Sequence, residues 1–427
     1  MMLAVLLIAL ALLGMPLFAV IALGALAGFH AEDLNLSLVV MEFQRIGELP
    51  VLVALPLFTF AGVLLSHSKT PQRLVDVSHA LLGWMPGGLA ILGLILFALM
   101  TAFTGASGIT VVALGSLMLP ALLTAGYPER FSLGLVTAGS SMGVLFAPSL
   151  PLILYAVIAQ QVAPGQGVRV EELFLAGILP GLLMLALLAG WAMYVRARGK
   201  SVENAPPPRP VAIGTALKDA AWELPLPFVV LAGIYGGYLL VIEAAVVTAA
   251  WVLVSLVAIR RDIAWRALPG IIAEAMVLVG AILLVLGVSM ASTNIMIDTQ
   301  VPQKLFAAVE PWLTSKLSFL LAVNVLLLVV GMMLDIFAAL VIIAPLILPI
   351  ALAFGIDPVH LGIVFLANLQ IGYCTPPVGI NLFLASHRFG KDILTVYRAT
   401  LPFLGLLLIA LVIITWWPGL SLWLAWR

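Results

Sequence analysis

Thr101–Tyr127 reads TAFTGASGITVVALGSLMLPALLTAGY, and the apolar run that follows ends at Gly139–Pro151 in GSSMGVLFAPSLP. The same punctuation returns over Leu334–Ile380. Pro120 and Pro349, Gly126 and Gly355, Gly143 and Gly372, and Pro148 and Pro377 each stand 229 residues apart. Upstream, Pro71-Gln72-Arg73-Leu74 is answered by Pro302-Gln303-Lys304-Leu305 at an offset of 231. Two copies of an interrupted hydrophobic unit point to a transporter whose site lies between the copies.

Composition sets the setting. The chain is 64% hydrophobic and 9% charged, where soluble domains average about 25% charged. Its runs are continuous rather than alternating, which excludes a β-barrel and leaves an all-α polytopic membrane protein. With 19 basic and 19 acidic residues, charge points to no nucleic-acid partner. The single cysteine, Cys374, excludes an intramolecular disulfide and a Cys-based metal cluster. Met1–Phe29 lacks a basic start and a clear cleavage site, so it reads as a retained helix rather than a signal peptide.

A spanning helix takes about 20 apolar residues. Residues 1–87 supply the first scaffold helices, Leu3–Phe29 and Pro50–Leu65, joined by the polar stretch His30–Glu48. The amphipathic Thr70–Trp84 is expected to lie at the interface. Residues 88–195 form the first transport repeat. Its two short limbs predict a re-entrant hairpin over 88–127 with a tip at Thr104–Thr110, then a broken helix over 131–160 and a span at Phe174–Val195. Residues 196–223, with Pro206–Pro208, read as a cytoplasmic linker. Residues 224–315 hold the second scaffold helices, Leu224–Leu240, Ile242–Ile259 and Pro269–Ile295, and a second interfacial segment, Val301–Trp312. Residues 316–427 repeat the pattern: a hairpin over 316–355 with its tip at Gly331–Asp335, a broken helix over 358–387, and a last span at Thr400–Trp417.

Charge checks the topology. With the N-terminus inside and both limbs of each hairpin on one face, Arg45, Arg169, Lys304, Lys316 and Arg427 lie outside. The other 14 of the 19 basic residues lie inside, as the positive-inside rule expects. The first hairpin then opens inward and the second outward, with Leu224–Leu240 as the odd helix that inverts the second copy. Two ordinary crossings in place of each hairpin would leave the loop sides unchanged, so charge alone does not decide for hairpins.

Backbone freed from a helix within lipid must be buried in protein or line a wet cavity. GSSMGVLFAPSLP and NLQIGYCTPPVGIN (Asn368–Asn381) each join helix breakers to hydroxyl or amide side chains. Their oxygens suit a small hard cation, and the half-helix N-termini after the breaks suit an anionic substrate. One ion site per copy is expected, from a hairpin tip and the nearby break. Ion-binding candidates are Gly105, Ser107, Ser140 and Ser141 in the first copy, and Asp335, Asn368, Gly372 and Thr375 in the second. Candidates for substrate contact or helix breaking are Thr104, Pro148, Ser149, Pro376, Pro377, Gly379 and Asn381. Asp335 is an intramembrane acid that could equally cap the second limb. Glu243 and Glu274 read as interfacial, His360 as a first-turn residue rather than a ligand, and Cys374 as a small apolar filler. Trp416, Trp417, Trp423 and Trp426 read as an interfacial belt.

Gly105-Ala106-Ser107-Gly108 also resembles the nucleophile motif of rhomboid intramembrane proteases. That chemistry needs a histidine beside the serine, and none of His30, His67, His79, His360 and His387 lies deep in a predicted crossing. No GxxxxGK[ST] string for ATP hydrolysis occurs, and no enzyme activity or cofactor is expected. Paired hairpins with opposite openings fit alternating access better than a plain channel.

Thr104-Gly105-Ala106-Ser107, Pro120, Gly126-Tyr127, Ser140-Ser141, Ala147-Pro148-Ser149, Glu172-Leu173-Phe174, Gly177 and Pro180-Gly181 resemble the large membrane subunit of tripartite ATP-independent periplasmic transporters, the DctM family. So do Gly331, Asp335, Pro345, Pro349, Gly355-Ile356-Asp357-Pro358, His360, Gly362, Asn368, Gly372 and Thr375-Pro376-Pro377-Val378-Gly379. The first tip reads Thr-Gly-Ala-Ser where the family often has Ser-Gly-Ser, and Ala147-Pro148 stands where Pro-Pro is common. The resemblance implies an elevator-type symporter of the bacterial inner membrane, with Na+ as coupling ion. It implies a separate small four-helix membrane subunit and a periplasmic substrate-binding protein that delivers organic acids, of C4-dicarboxylate type by the wording of the second half. A proton-coupled organic-anion transporter of the same architecture is the alternative.

Overall fold

The computed structural model describes residues 6–7, 9–10, 13–82, 87–198, 213–309, 313 and 315–425. The start of the first crossing at Leu3, Trp84, Pro206–Pro208, Trp312 and Trp426 lie outside them. No strand occurs among the described residues.

The first crossing is not one continuous helix. Gly14 takes a φ of +89° and Pro16 caps α1 (Leu17–Ala31), because a proline restrains the residue before it from helical geometry. The stretch read as a polar connection contains α2 (Ser37–Arg45), whose Phe43 lies against Gly287. A bend of 70° separates it and the following 3₁₀ turn from the next segment. That segment opens with a 3₁₀ turn at Pro50–Val53 and continues as α3 (Ala54–Ser66). The interfacial arm is α4 (Thr70–Leu82).

The first hairpin is α5 (Gly88–Thr104) and a second limb that starts at Ser107 and is itself bent by 49° into α6 (Ser107–Ala113) and α7 (Gly115–Thr124). Its tip is therefore shorter than predicted, Gly105-Ala106. The broken helix follows as α8 (Glu129–Gly139), a 3₁₀ turn at Met142–Leu145 and α9 (Leu150–Val162). The break begins at Ser140. Pro151 sits in the first turn of α9, where its missing N–H costs nothing, so it starts a helix rather than breaking one. α10 (Val170–Arg198) completes the copy.

Within the predicted linker, α11 (Ile213–Asp219) is ordered against α4 through Val77, Ala216 and Ala220. α12 (Pro225–Tyr235) is shorter than the predicted Leu224–Leu240 crossing, because Gly236-Gly237 ends it in a turn, Gly237 with a φ of +70°. α13 (Val241–Leu253) runs on into a π-turn at Val254–Ile259. Glu223 before α12 and Asp262 after α13 both bond Arg73, so this pair leaves and returns on one side.

α14 (Leu268–Asp298), the arm α15 (Val301–Val309), the hairpin of α16 (Lys316–Met333) and α17 (Ile336–Ala353), and the broken helix of α18 (Pro358–Gly372) and α19 (Ile380–Phe389) follow. α20 (Ile393–Trp416) and the short α21 (Gly419–Leu422) close the chain. Shifted by 229, Ser107, Thr124 and Glu129 fall on Ile336, Ala353 and Pro358, the matching element boundaries of the second copy. α12 is the unmatched helix between the copies, so the second copy enters from the opposite face.

The broken helices form the centre of the molecule: every residue of α18 is buried, as are Phe131–Gly139 and Leu150–Ala159. The copies interlock, with α9 packed on α17 and α19 on α6. Close backbone approach explains the paired glycines. A Cβ on Gly143 would stand 2.1 Å from the Ala98 carbonyl oxygen, and one on Gly372 would stand 2.6 Å from the Gly331 carbonyl carbon. α1, α3, α13 and α14 pack among themselves as the surrounding scaffold.

Candidate functional site

Both hairpin tips end at the breaks. The first break is buried but for half-buried Phe146, so the first tip turns back inside the molecule as a re-entrant hairpin does; the second tip and break are exposed at Asp335, Pro377 and Val378. At the first tip Gly105 has a φ of +66°, and a Cβ there would stand 2.5 Å from Leu150 Cδ1 at the start of α9. At the second, the Gly379 N–H just before α19 donates to the Met332 carbonyl at 3.0 Å. The N-termini of α9, α17 and α19 are thus gathered around the tips, each with a partial positive end.

The first tip builds a neutral cluster that crosses the copies. Ser107 Oγ donates to Asn381 Oδ1 at 2.8 Å, and Asn381 Nδ2 donates to Ser140 Oγ at 3.2 Å. All three side chains are buried. Thr101 Oγ1 bonds the Ser140 carbonyl at 2.6 Å and Thr110 Oγ1 at 2.7 Å. Ser141 Oγ and Asn381 Nδ2 each lie 4.0 Å from Cys374 Sγ. The Ala106 N–H donates to Thr104 Oγ1 at 3.4 Å. The hydroxyl of Ser149, beside Pro148, is buried and has no partner among the described residues.

The second tip is different. Asp335 caps α17, accepting the Phe337 N–H at 3.1 Å, and also accepts the Tyr373 hydroxyl at 2.9 Å. That hydroxyl accepts the Ile336 N–H at 2.7 Å. Capping is therefore present, with Asp335 exposed at the tip. Gly372 packs on Gly331, and Thr375 Oγ1 returns to the Ile371 carbonyl at 2.9 Å. Pro376 is half-buried and Pro377 exposed, its carbonyl accepting the Tyr397 hydroxyl.

Each tip meets its own break, the first through Gly105 against Leu150 and the Thr101 bond to the Ser140 carbonyl, the second through the Gly379 N–H on the Met332 carbonyl. The first tip takes its amide from Asn381, in the other copy. Asn368 turns away from both tips, donating to Asn324 Oδ1 and to the Val364 carbonyl, each at 2.7 Å, and its own Oδ1 is buried without a partner among the described residues. Tyr373, Thr101, Thr110 and Asn324 are polar contributors that the reading of the breaks passed over. Asn324 carried a signal, as the one amide in the run Leu317–Val330. Tyr373 lies inside the second break, in the string NLQIGYCTPPVGIN. Of the other residues singled out, Glu243 bonds the Leu240 N–H at the start of α13, and Glu274 pairs with His67 at 2.8 Å. His360 lies in the first turn of α18, with Nδ1 3.2 Å from Ser421 Oγ.

Ser107 bonds an asparagine, and no histidine is its partner among the described residues, so the serine-protease geometry is not formed. Among them there is also no group of three or more His, Cys, Asp or Glu side chains. The donors at the tips are hydroxyl, amide, carboxylate and carbonyl oxygens, a set that matches hard cations.

Six helices among the described residues are long and apolar enough to cross a membrane, or up to nine if each bent pair counts as one. The family model for the DctM component of tripartite ATP-independent periplasmic transporters matches residues 1–420. The C4-dicarboxylate TRAP transporter large permease protein DctM of Pseudomonas aeruginosa is 34% identical over 90% of this chain and 88% of its own length. The isethionate TRAP transporter permease protein DctMQ of Oleidesulfovibrio alaskensis is 35% identical over 96% of this chain, which spans only 64% of that longer protein. The crystal structure of the Alcanivorax borkumensis YdaH transporter shares the fold at 17% identity, with a TM-score of 0.64 over 91% of this chain and 88% of that one. Multi-pass and of the bacterial inner membrane, the chain belongs to the DctM family of large permease components of TRAP transporters.

Proposed function

We propose that this chain is the large permease subunit of a sodium-coupled importer of organic anions. It works with a small four-helix membrane subunit and takes its substrate from a periplasmic binding protein. The observation that carries the reading is the oxygen-rich chemistry at the two tips, with three helix N-termini gathered around them. Sodium meets Ser107, Ser140, Asn381 and nearby carbonyls at the first tip, and Asp335 with the Gly372–Thr375 backbone at the second. The substrate's anionic group lies between the tips, where the positive ends of α9 and α19 favour negative charge. Relatives named for C4-dicarboxylate and for isethionate support a small carboxylate or sulfonate as cargo. The hairpins and broken helices move as one body against α1, α3, α13 and α14, with α4 and α15 as the connecting arms.

The test is uptake into proteoliposomes that hold this chain with its small subunit, given the binding protein and labelled succinate or isethionate. A sodium gradient should drive accumulation while potassium does not. Accumulation driven by a proton gradient alone would replace this reading with proton coupling, for which Asp335 is the only tip acid. The absence of uptake with any gradient, from a complex that still docks its binding protein, would remove the transport assignment for these substrates.

A further inference from the structure

The scaffold carries a groove apart from the tips. It encloses about 350 Å³ and is lined by Trp222, Val247, Ala250, Trp251, Val254 and Ser255. Val247, Ala250, Trp251 and Val254 recur at helical spacing, so α13 and the start of its π-turn offer them as one stripe, with the small Ala250 among larger side chains. Trp222, just before α12, is fixed against that stripe. Its ring lies 5.7 Å from that of Trp251 at 59°, and its carbonyl accepts Trp251 Nε1 at 2.8 Å. Val246 and Val254 beside the groove are half exposed, as expected of a face turned to lipid.

One end of the groove is basic. The carbonyl of Ser255 accepts the Arg260 N–H at 2.8 Å, which holds Arg260 at that end. Its guanidinium donates to the carbonyls of Lys218 and Asp219 at 3.1 and 2.5 Å. Its Nε is buried without a partner among the described residues. Lys218, Arg261 and Arg266 are exposed nearby, and Trp265 marks the interface. Glu223 and Asp262 share the one guanidinium of Arg73, so with Asp219 three acids stand against five cations, Arg73, Lys218, Arg260, Arg261 and Arg266.

We propose that the groove binds an anionic phospholipid of the cytoplasmic leaflet. One acyl chain lies along the tryptophan pair over Ala250, and the phosphate meets Arg260 with Lys218 or Arg261. The apolar stripe rules against a free phosphate, which has no chain to bury. The uncompensated cations favour a net-anionic headgroup over a zwitterionic one, whose own ammonium offsets its phosphate.

The test is native mass spectrometry of the full chain in nonionic detergent, titrated with phosphatidylglycerol or with phosphatidylcholine of the same acyl chains. One phosphatidylglycerol should be retained preferentially, by about fivefold for each contributing cation. Arg260→Gln should cut the preference by about that factor. Ala250→Phe fills the groove without touching charge or any hydrogen bond, and it should reduce retention of both lipids. Glycerol 3-phosphate should not compete. Equal retention of the two lipids, a preference that survives both substitutions, or displacement by glycerol 3-phosphate would overturn the proposal. So would exclusion of phosphatidylglycerol by a co-purified small membrane subunit, which would make this face a subunit interface.

Discussion

Replacing Gly62 by alanine tests whether the first tip is a moving part. Gly62 lies on the scaffold helix α3, and a Cβ there would stand 2.6 Å from both the Phe103 carbonyl oxygen and Thr104 Cα. That is about 0.9 Å short of the ~3.5 Å at which such atoms make optimal contact. Both obstacles are backbone, so no side chain can rotate away, and α3 and the tip must separate. Overpacking of this kind costs about 1–3 kcal/mol. If the tip exchanges between seated and released positions, this energy falls on the seated one alone, a shift of roughly 5- to 150-fold. Alanine's better helix propensity acts in both positions alike and drops out of the ratio. The assay is the rate of maleimide labelling of Ala106→Cys in a Cys374→Ser background, with and without Gly62→Ala. Labelling should rise within that range while the melting temperature changes little. A lower melting temperature with unchanged labelling would mean that the contact is static packing. No change in either would mean that the methyl is absorbed. Either outcome refutes a tip that leaves α3.

Asn381→Ala removes the amide that joins Ser107 to Ser140 and leaves buried hydroxyls to find other partners, a loss of about 1–3 kcal/mol. In detergent, stabilisation by sodium over potassium at matched ionic strength should be smaller than in the wild type but not abolished, because the Asp335 tip is intact. Tyr373→Phe strips the donor to Asp335 and the acceptor of the Ile336 N–H; it should weaken sodium stabilisation while uptake that depends on the first tip persists in part. Arg73→Gln leaves Glu223 and Asp262 buried without their cation and should destabilise by about 3–5 kcal/mol, read as a lower melting temperature. Burial alone would lower the Arg73 pKa, but its bonds to Asp262 and Glu223 more than offset that and raise it above the ordinary value. A group whose folded pKa is raised keeps its contribution at every pH below its unfolded value, which for a guanidinium lies far above neutrality. The wild type should therefore show no loss from this network between pH 6 and 10, measured as melting temperature against pH. Gly143→Ala and Gly372→Ala should each abolish folding or lower the melting temperature steeply, since both meet backbone.

What could be read from the sequence was the part of the fold that backbone geometry dictates. Glycine at close approach and proline at a break are selected by sterics, so Gly143 with Gly372 and Pro148 with Pro377 repeat at one offset. They fall where helices of the structure end, break or meet backbone to backbone. The misses have local causes. Gly14 and Pro16 interrupt an otherwise apolar run that hydropathy alone joins. Gly236-Gly237 stops α12 early, and α2 forms in a polar stretch because one face packs on α14. The site was harder. Asn381 reads as a candidate for substrate contact or helix breaking and not as a partner of the first tip, because nothing in a linear pattern says that α19 delivers it to Ser107 in the other copy. Asn368 looked equivalent, yet one helix face away it serves the α16 contact instead.

The duplication extends to backbone and stops short of side-chain chemistry. At the common offset Asp335 stands opposite Ala106, Tyr373 opposite Val144, Asn381 opposite Leu152, Ser107 opposite Ile336 and Ser140 opposite Leu369. Each of these five polar residues faces an apolar counterpart in the other copy, whereas Ser141 faces Gln370. Repeated breakers keep the two tips and two breaks alike in shape, which interlocking requires, while the chemistry at each tip is unconstrained by the other. The result is one neutral hydroxyl–amide cluster shared by both copies and one acid–phenol pair built within a single copy. A cation at the first tip leaves a net positive charge there, and one at the second is neutralised by Asp335. Two cations bound in turn are therefore inequivalent, and an anion between the tips gains most from the first. Binding of anion and of the first-tip cation should each strengthen the other, whereas occupation of the Asp335 tip should couple to the anion more weakly. Asp335→Asn removes that difference, because a cation held there would no longer be neutralised. Sodium titrations of melting temperature with and without substrate should show cooperativity rising in Asp335→Asn and falling in Asn381→Ala; the opposite order would mean that charge at the tips does not set the coupling.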